Sequence, residues 1–118
     1  MNRRTVSSAL SLETVFGVLS ERRKRYALYV LHWTEGNAMS VGQLARRIAE
    51  KEGGGANGDD PSRERIAKDL RQRHVPELVA MNVVEYDGRS ETVRYHCVPS
   101  LEEWLEHAAY KEGEHPDC

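Results

Sequence analysis

A single β-hairpin signal stands late in a chain whose other regular segments are helical. Two β-rich runs, 83–86 and 92–98, flank a stretch that contains Asp87 and Gly88, a dipeptide typical of a tight hairpin turn. A lone hairpin is marginally stable in water, so this one must pack against helices. The sequence therefore predicts a mainly helical fold with one small β-hairpin.

Four helices are predicted before the hairpin. Apolar residues recur at helical spacing over 12–19, which Ser11 can cap, and over 21–34, which Ser20 can cap. The second helix is apolar nearly all round, which is typical of a helix at the centre of its fold. A third helix begins at a capping box opened by Ser40 and carries an apolar stripe on one face.

The fourth helix, 61–74, follows a glycine-rich stretch at 53–58 that is predicted to be a flexible loop. Pro76 predicts a kink or break behind this helix, because proline lacks an N–H and restricts the residue before it. A short helical piece then continues through Met81, and Asn82 stands where a left-handed cap is expected. With one more helix after the hairpin, the predicted order of elements is ααααββα.

The 118 residues are expected to form one domain. We predict a flexible arm over 1–10, a folded part over 11–110 and a disordered acidic tail over 111–118. The last helix of the folded part opens with a capping box formed by Ser100 and Glu103.

Composition excludes several classes of protein. No apolar run is long enough to span a bilayer, and no apolar signal core follows the first residues, so neither a membrane partner nor secretion is expected. Only 2 cysteines occur, which excludes a disulfide framework, zinc fingers and iron–sulfur sites. A reducing, cytoplasmic setting is the expected location.

The formal net charge of −2 hides an asymmetry between the two parts of the chain. Residues 1–75 carry 14 Lys and Arg against 9 Asp and Glu, a net charge of +5. Residues 76–118 carry 3 against 10, a net charge of −7. Because counterion release is local to the contact, such a domain can bind nucleic acid with its basic face. Two ordinary solvated surfaces explain the same charges equally well.

The third and fourth helices followed by a hairpin match a winged helix-turn-helix. In that arrangement the second helix of the pair enters the major groove of DNA, and the hairpin, here 83–98, forms the wing. On the fourth helix, Arg65, Lys68 and Gln72 project from one side and apolar residues from the other. Guanidinium and amide groups read base edges, and ammonium groups bind phosphate. The predicted DNA-binding residues are Ser62, Arg63, Arg65, Lys68, Arg71, Gln72, Arg89 and Arg94.

Other basic or titratable positions carry weaker signals. Arg89 at the hairpin tip and Arg94 on its second strand suit a phosphate or a narrow minor groove. The basic run 22–25 opens a helix, where the helix dipole disfavours cations, so a phosphate contact is slightly favoured over a dimer-facing or solvated role. His74 lies on the buried side of the fourth helix, and we expect a structural role with its ring bonded to a backbone carbonyl.

Several stretches of the chain resemble a family of small haloarchaeal proteins. They are LSERRKRYAL from Leu19, LARRIA from Leu44, LRQRHVPEL from Leu70 and VVEYD from Val83. That family is a domain of unknown function with a winged-helix fold, usually described as ArsR-like transcriptional regulators. The resemblance covers residues 10–98. It implies an archaeal, cytoplasmic DNA-binding regulator, dimeric through its terminal helices, and it implies neither a ligand nor an operator.

The sequence also bears on two other classes of function. An enzyme is not expected, because the sequence holds no Gly-x-Ser-x-Gly motif, nucleophile pair or buried carboxylate pair. No cofactor or metal is predicted, although Glu103 and His107, one turn apart, could form half a zinc site. The rival is a winged-helix protein-interaction module without DNA binding. DNA is favoured if the face of Arg65, Lys68 and Gln72 is exposed and two copies of it lie about 34 Å apart across a dimer. A face covered by the partner subunit or by the acidic last helix favours the rival.

Overall fold

The structure, a computed structural model, describes residues 10–52 and 61–113. Within these residues the segments with helical periodicity form six α-helices. The helices are α1 (Leu12–Ser20), α2 (Arg22–His32), α3 (Val41–Lys51), α4 (Pro61–Asp69), α5 (Val75–Ala80) and α6 (Pro99–Glu112). The strands are β1 (Ala38–Ser40), β2 (Val84–Asp87) and β3 (Thr92–Tyr95). Over these residues the fold is mainly helical with a small antiparallel sheet, as the sequence predicts.

The sheet has three strands in the described residues, whereas the sequence predicts only the hairpin. β3 lies between β2 and β1 and pairs antiparallel with both, with Val93 opposite Tyr86 on one side and Met39 on the other. β1 was missed because three residues are too few to show alternation; only Met39 at its middle is buried. β3 also ends at Tyr95 rather than at 98, and Cys97 has a φ of 56°, in the left-handed region.

Two of the predicted helix caps are present. The Ser11 hydroxyl oxygen accepts a hydrogen bond from the Thr14 N–H at 3.1 Å, and the Ser40 hydroxyl oxygen accepts one from the Gln43 N–H at 3.2 Å. Each bond satisfies a backbone donor that the first turn of a helix leaves free. These caps confirm the predicted starts of α1 and α3.

Two other predicted caps were wrong. Ser20 belongs to α1, where its hydroxyl donates to the Gly17 carbonyl at 2.9 Å, and α2 begins without a side-chain cap. Ser100 lies inside α6, which begins one residue earlier at Pro99; proline is well tolerated in a first turn. The Ser100 hydroxyl oxygen accepts a hydrogen bond instead from the Leu10 N–H at 3.1 Å. This bond joins the segment just before α1 to the start of α6.

The predicted break near Pro76 is a π turn rather than an interruption. Residues Leu70–His74 form this turn, and the Val75 N–H donates to the Leu70 carbonyl five residues back. The wider turn leads the helix onward into α5, although proline removes one donor and crowds the carbonyl four residues before it. Asn82 ends α5 in the left-handed conformation that the sequence predicts, with a φ of 63°.

One core joins the helices to the sheet. Its largest fully buried side chains are Val15, Leu28, Tyr29, Leu31, Val41, Leu44, Ile48, Ile66, Leu70, Leu78, Leu101 and Leu105. They come from every helix and surround the buried side of the sheet, where Val84 and Val93 lie. None of the described helices combines the length and the apolar character that crossing a membrane requires.

The predicted domain boundaries fall partly outside the described residues. This applies to the arm over 1–9, the glycine-rich stretch 53–58 and the tail over 114–118. α6 continues to Glu112, two residues past the expected end of the folded part at 110. The Glu112 carboxylate accepts hydrogen bonds from Arg25 at 2.9 Å and from the Tyr29 hydroxyl at 2.7 Å, which hold this last turn against α2.

Candidate nucleic-acid interface

The outer side of α4 and of the π turn carries the three side chains that the sequence singles out. Arg65, Lys68 and Gln72 are all exposed, and none of them forms a hydrogen bond or ion pair within the described parts of the chain. The opposite side of the same helix is held in the core by Ile66 and Leu70, which are 1% and 0% exposed. The helix is thereby fixed, and its two cations and one amide face solvent.

A cleft of about 530 Å³ lies between α3 and α4, beside this face. It is lined by Ser40, Gly42, Gln43, Arg46, Arg63, Glu64, Ala67 and Arg71. Arg63 was predicted as a DNA-binding residue, and the structure brings it together here with Arg46 and Arg71. Sequence reasoning missed Gln43 and Arg46. Both lie opposite the apolar stripe of α3, so a helical projection of α3 would have found them.

Two predicted cations are paired with carboxylates in the structure. Arg71 contacts Glu91 through two guanidinium nitrogens, at 3.1 and 3.2 Å. Arg94 lies 3.4 Å from a carboxylate oxygen of Glu85 and donates to the Gly36 carbonyl at 3.0 Å. Arg71 joins the π turn to the hairpin, and Arg94 joins β3 to Glu85 and Gly36. The charges of both arginines are compensated within the chain, unlike those of Arg65 and Lys68.

The hairpin turn places the last of the predicted cations. Arg89 is exposed, and its side chain has no partner in the described residues. The carboxylate of Asp87 orders the turn by accepting from the Arg89 N–H at 3.0 Å and from the Ser90 hydroxyl at 3.1 Å. Arg89 therefore stands at the hairpin tip, as predicted, next to one carboxylate. The side chain of Ser62 lies outside the described residues.

Three of the four cations in the basic run 22–25, which opens α2, pair with carboxylates of the same chain. The phosphate contact expected for this run is therefore wrong for Arg23, Lys24 and Arg25. Arg23 donates to Glu52 at 2.9 Å and to Asp69 at 3.1 Å. Lys24 is only 4% exposed, and its ammonium group bonds to Glu77. Arg25 forms the ion pair with Glu112. The run ties α2 to its neighbours, and within the described residues only Arg22 of the run is exposed and forms no ion pair.

His74 has a structural role, but its partner is a carboxylate and not the predicted backbone carbonyl. Its Nε2 lies 3.0 Å from Oδ2 of Asp69 and must donate, because a carboxylate only accepts. The two residues are five apart, a spacing that an α-helix places on different faces and a π turn brings together. Arg23 bonds to the same carboxylate, so the π turn is linked directly to α2.

Burial sets the protonation of this histidine. Burial lowers the pKa of His74 below its ordinary value of 6.5, and nearby Lys24 and Arg73 lower it further, although Asp69 opposes them. Burial would raise the pKa of Asp69, but His74, Arg23 and Arg73 outweigh it and lower that pKa overall. At neutral pH the pair is therefore a neutral ring hydrogen-bonded to a carboxylate.

We expect the protein to lose stability as the pH falls from 7 to 5, in part because of His74. The unfolded chain binds a proton at this histidine more readily than the folded chain does, so the stability is complete above pH 6.5 and is lost below it. The slope from one proton is at most about 1.4 kcal/mol per pH unit. Urea unfolding of wild type and His74→Gln at several pH values checks this, and identical slopes would contradict it.

Glu103 and His107, considered above as half a zinc site, are both exposed. The His107 ring lies beside Trp104, with 6.4 Å between ring centroids. In the part of the chain that the structure describes, neither residue belongs to a group that could hold a metal ion. The half-site therefore receives no support from the geometry.

Comparison with known proteins identifies a family. The model of a domain of unknown function, DUF7344, matches residues 16–94, from within α1 to within β3. The match covers more than half of the chain, so the chain belongs to this family. No curated protein matches it. No solved structure matches it either. α6 lies beyond the matched span.

Proposed function

We propose that this protein is a winged helix-turn-helix regulator of transcription that binds double-stranded DNA in the cytoplasm as a homodimer. In this proposal α3 and α4 are the helix pair, and α4 with its π turn enters the major groove. The hairpin of β2 and β3 is the wing. The order of these elements, and the pairing of β1 with the hairpin, support it.

The exposed face of Arg65, Lys68 and Gln72 carries the proposal. Guanidinium and amide groups are the side chains that read guanine and adenine edges, and an ammonium group neutralises phosphate. Elsewhere in the described chain several arginines are engaged by carboxylates, as Arg23 and Arg71 are. The exposed, unpaired side chains of this helix are available to a ligand. A polyanion would supply the negative charge that Arg65 and Lys68 lack as a partner.

The second element of the interface is the cleft beside α4. Arg46 and Arg63 add positive charge there, and Glu64 is the one carboxylate among the described residues that line the cleft. Cations on both helices of the pair are what phosphate contacts on either side of a groove require. Arg89 at the hairpin tip would reach the backbone or minor groove farther along the duplex.

Dimerisation is proposed through the terminal helices. Leu12 and Phe16 on α1 are 55% and 47% exposed, and Tyr110 on α6 is 72% exposed. Phe16 packs edge-to-face on Trp104 of α6, with 5.3 Å between ring centroids, so the apolar surface is continuous across both helices. Two copies joined there would bind half-sites about 34 Å apart, one turn of DNA. Light scattering of wild type and Phe16→Glu tests the dimer.

We expect Lys68→Ala and Arg65→Ala to weaken DNA binding in different ways. If Lys68 neutralises a phosphate, its loss lowers the slope of log K against log salt concentration by about one unit, whatever the DNA sequence. If Arg65 reads a base, its loss costs about 1–3 kcal/mol of binding and relaxes the preference at one position. Duplexes selected by the protein from a random-sequence pool provide the sites, and fluorescence anisotropy at several salt concentrations measures both effects.

Lys111→Ala is the matched control, because it removes the same charge from an exposed site on α6. It should bind DNA as wild type does. Equal binding by wild type, Lys68→Ala and Arg65→Ala would refute a role for this face. No salt-dependent binding of any duplex by the wild type would refute DNA binding altogether and leave the protein-interaction module as the better account.

A further inference from the structure

A histidine and two glutamates meet where the end of α2 crosses the first turns of α6. His32 lies 3.0 Å from a carboxylate oxygen of Glu102 through Nδ1 and 3.0 Å from one of Glu106 through Nε2. One ligand atom from each of the three residues lies within 4.8 Å of the others. Glu102 and Glu106 are four apart, so α6 presents both from one face. Sequence reasoning did not select any of these residues, because the histidine and the glutamates are about seventy positions apart.

The two nitrogens of His32 are in different situations. Nε2 donates a hydrogen bond to Glu106, because a carboxylate only accepts. Nδ1 is buried and has no hydrogen-bond partner among the described residues, although Oε2 of Glu102 lies 3.0 Å away. The imidazole is only 10% exposed, so water is largely excluded from it. Nδ1 and the Glu102 oxygen are therefore close together without a hydrogen bond between them, and a cation bound to both would satisfy both atoms.

A second buried polar group lies at the same place. Within 10–52 and 61–113 the Tyr95 hydroxyl has no hydrogen-bond partner, and Tyr95 is 2% exposed. Its ring lies edge-on to His32, with 6.0 Å between centroids. Burial raises the pKa of this hydroxyl, and the charges of Glu102 and Glu106 raise it further, which places it within their field. An unsatisfied buried hydroxyl is rare in folded proteins and marks a site where a partner is missing.

We propose that His32 and Glu102 bind a divalent transition-metal ion of the zinc class, with Glu106 orienting the imidazole. Metal–nitrogen and metal–oxygen bonds of about 2.0–2.2 Å place two ligand atoms of one ion roughly 3 Å apart, which is the separation of Nδ1 and Oε2. A carboxylate that accepts from the second nitrogen is the usual support of a metal-bound histidine. A mixed imidazole and carboxylate set suits zinc, cobalt or nickel better than magnesium or calcium.

At this site a metal ion bound to His32 and Glu102 would connect α2 to α6, in place of a direct contact between the two side chains. Glu106 is 56% exposed, so solvent reaches one side of the cluster and gives an ion a path of entry. Water entering from this side would complete the coordination. The proposal does not depend on DNA binding.

Titration of the full chain with zinc chloride, followed by calorimetry, tests the site. Wild type should bind one zinc ion here. Glu102→Gln removes a ligand charge while keeping the shape of the side chain and should weaken binding by more than about tenfold, and Glu106→Gln should weaken it by about 10–100-fold. Glu103→Gln, on the same helix and exposed, is the matched control and should bind as wild type does. Magnesium should not compete.

Two additions keep the experiment decisive. The titration is repeated in His115→Gln/Cys118→Ser, because these residues lie outside the described parts of the chain and could bind zinc themselves. Nitrogen chemical shifts of the histidine rings in folded wild type should show zinc on Nδ1 of His32. Absence of zinc binding, equal affinity in Glu102→Gln, or a His32 ring that does not respond would overturn the proposal and leave an ion-pair cluster only.

Discussion

Replacing Leu105 with alanine is expected to lower the free energy of unfolding by about 2–5 kcal/mol. Leu105 is 0% exposed on α6 and belongs to the common core together with Leu101 and Ala109, which are also 0% exposed. Truncation removes buried methyl groups and leaves a cavity that close-packed neighbours fill only in part. Urea unfolding followed by circular dichroism measures the loss.

The control for this change is Val79→Ala on α5, where the side chain is 40% exposed and little stability should be lost. A small effect at Leu105, comparable to that at Val79, would mean that α6 contributes little to the core. The expected large effect has a further meaning, because the family match ends at 94. It would show that the domain needs a helix beyond the span that defines the family.

Arg23→Met is expected to lower the free energy of unfolding by about 2–3 kcal/mol. The guanidinium group joins Glu52 at the end of α3 to Asp69 at the start of the π turn, and methionine leaves both carboxylates without their cation. Breaking a fully buried ion pair costs about 3–5 kcal/mol. The side chains here are 18–32% exposed, so water recovers part of that cost. The expected value is correspondingly smaller.

A double-mutant cycle with Glu52→Gln isolates this interaction from other effects of the substitution. Arg47→Met is the matched control, because Arg47 is exposed and unpaired within the described residues; its stability should stay within about 0.5 kcal/mol of wild type. An additive cycle would show that Arg23 does not bridge the helices in solution. Coupling would establish that the basic run at the start of α2 serves the fold.

Local signals in the sequence predicted most of the helical order. Apolar spacing identified the helices, Ser11 and Ser40 marked two starts, and Asn82 marked an end. Each of these features is decided by residues within a turn or two of one another. The predictions at Ser20 and Ser100 were wrong although serine is a common cap. The hydroxyl of each residue hydrogen-bonds elsewhere, to Gly17 and to Leu10.

What the sequence did not predict depends on contacts between distant segments. β1 is a strand only because β3 pairs with it from more than fifty residues away. The π turn at Leu70–His74 depends on Pro76 and on the bond between Asp69 and His74, which no helical projection at a regular 100° per residue anticipates. A short strand and an extra residue in a helix leave almost no mark on apolar periodicity.

The candidate interface shows the same division. The exposure of Arg65, Lys68 and Gln72 followed from the position of the apolar face of their own helix. The pairing of Arg71 with Glu91 did not, because the carboxylate arrives from the hairpin 20 residues later in the chain. Sequence spacing identifies which cations leave a helix on its outer side, and only the fold shows which of them meet a carboxylate.

The short strand β1 has a mechanical consequence. It leads directly into α3, the Val41 N–H at the start of that helix donates to the Glu91 carbonyl at 2.8 Å, and the carboxylate of the same Glu91 bonds to Arg71. Glu91 of the hairpin is therefore bonded both to the start of α3 and to the π turn that follows α4. These bonds oppose movement of the hairpin relative to the two helices. If the protein binds DNA as proposed, the helix and the hairpin meet the duplex at one fixed separation, and a duplex whose groove width does not match that separation should bind more weakly.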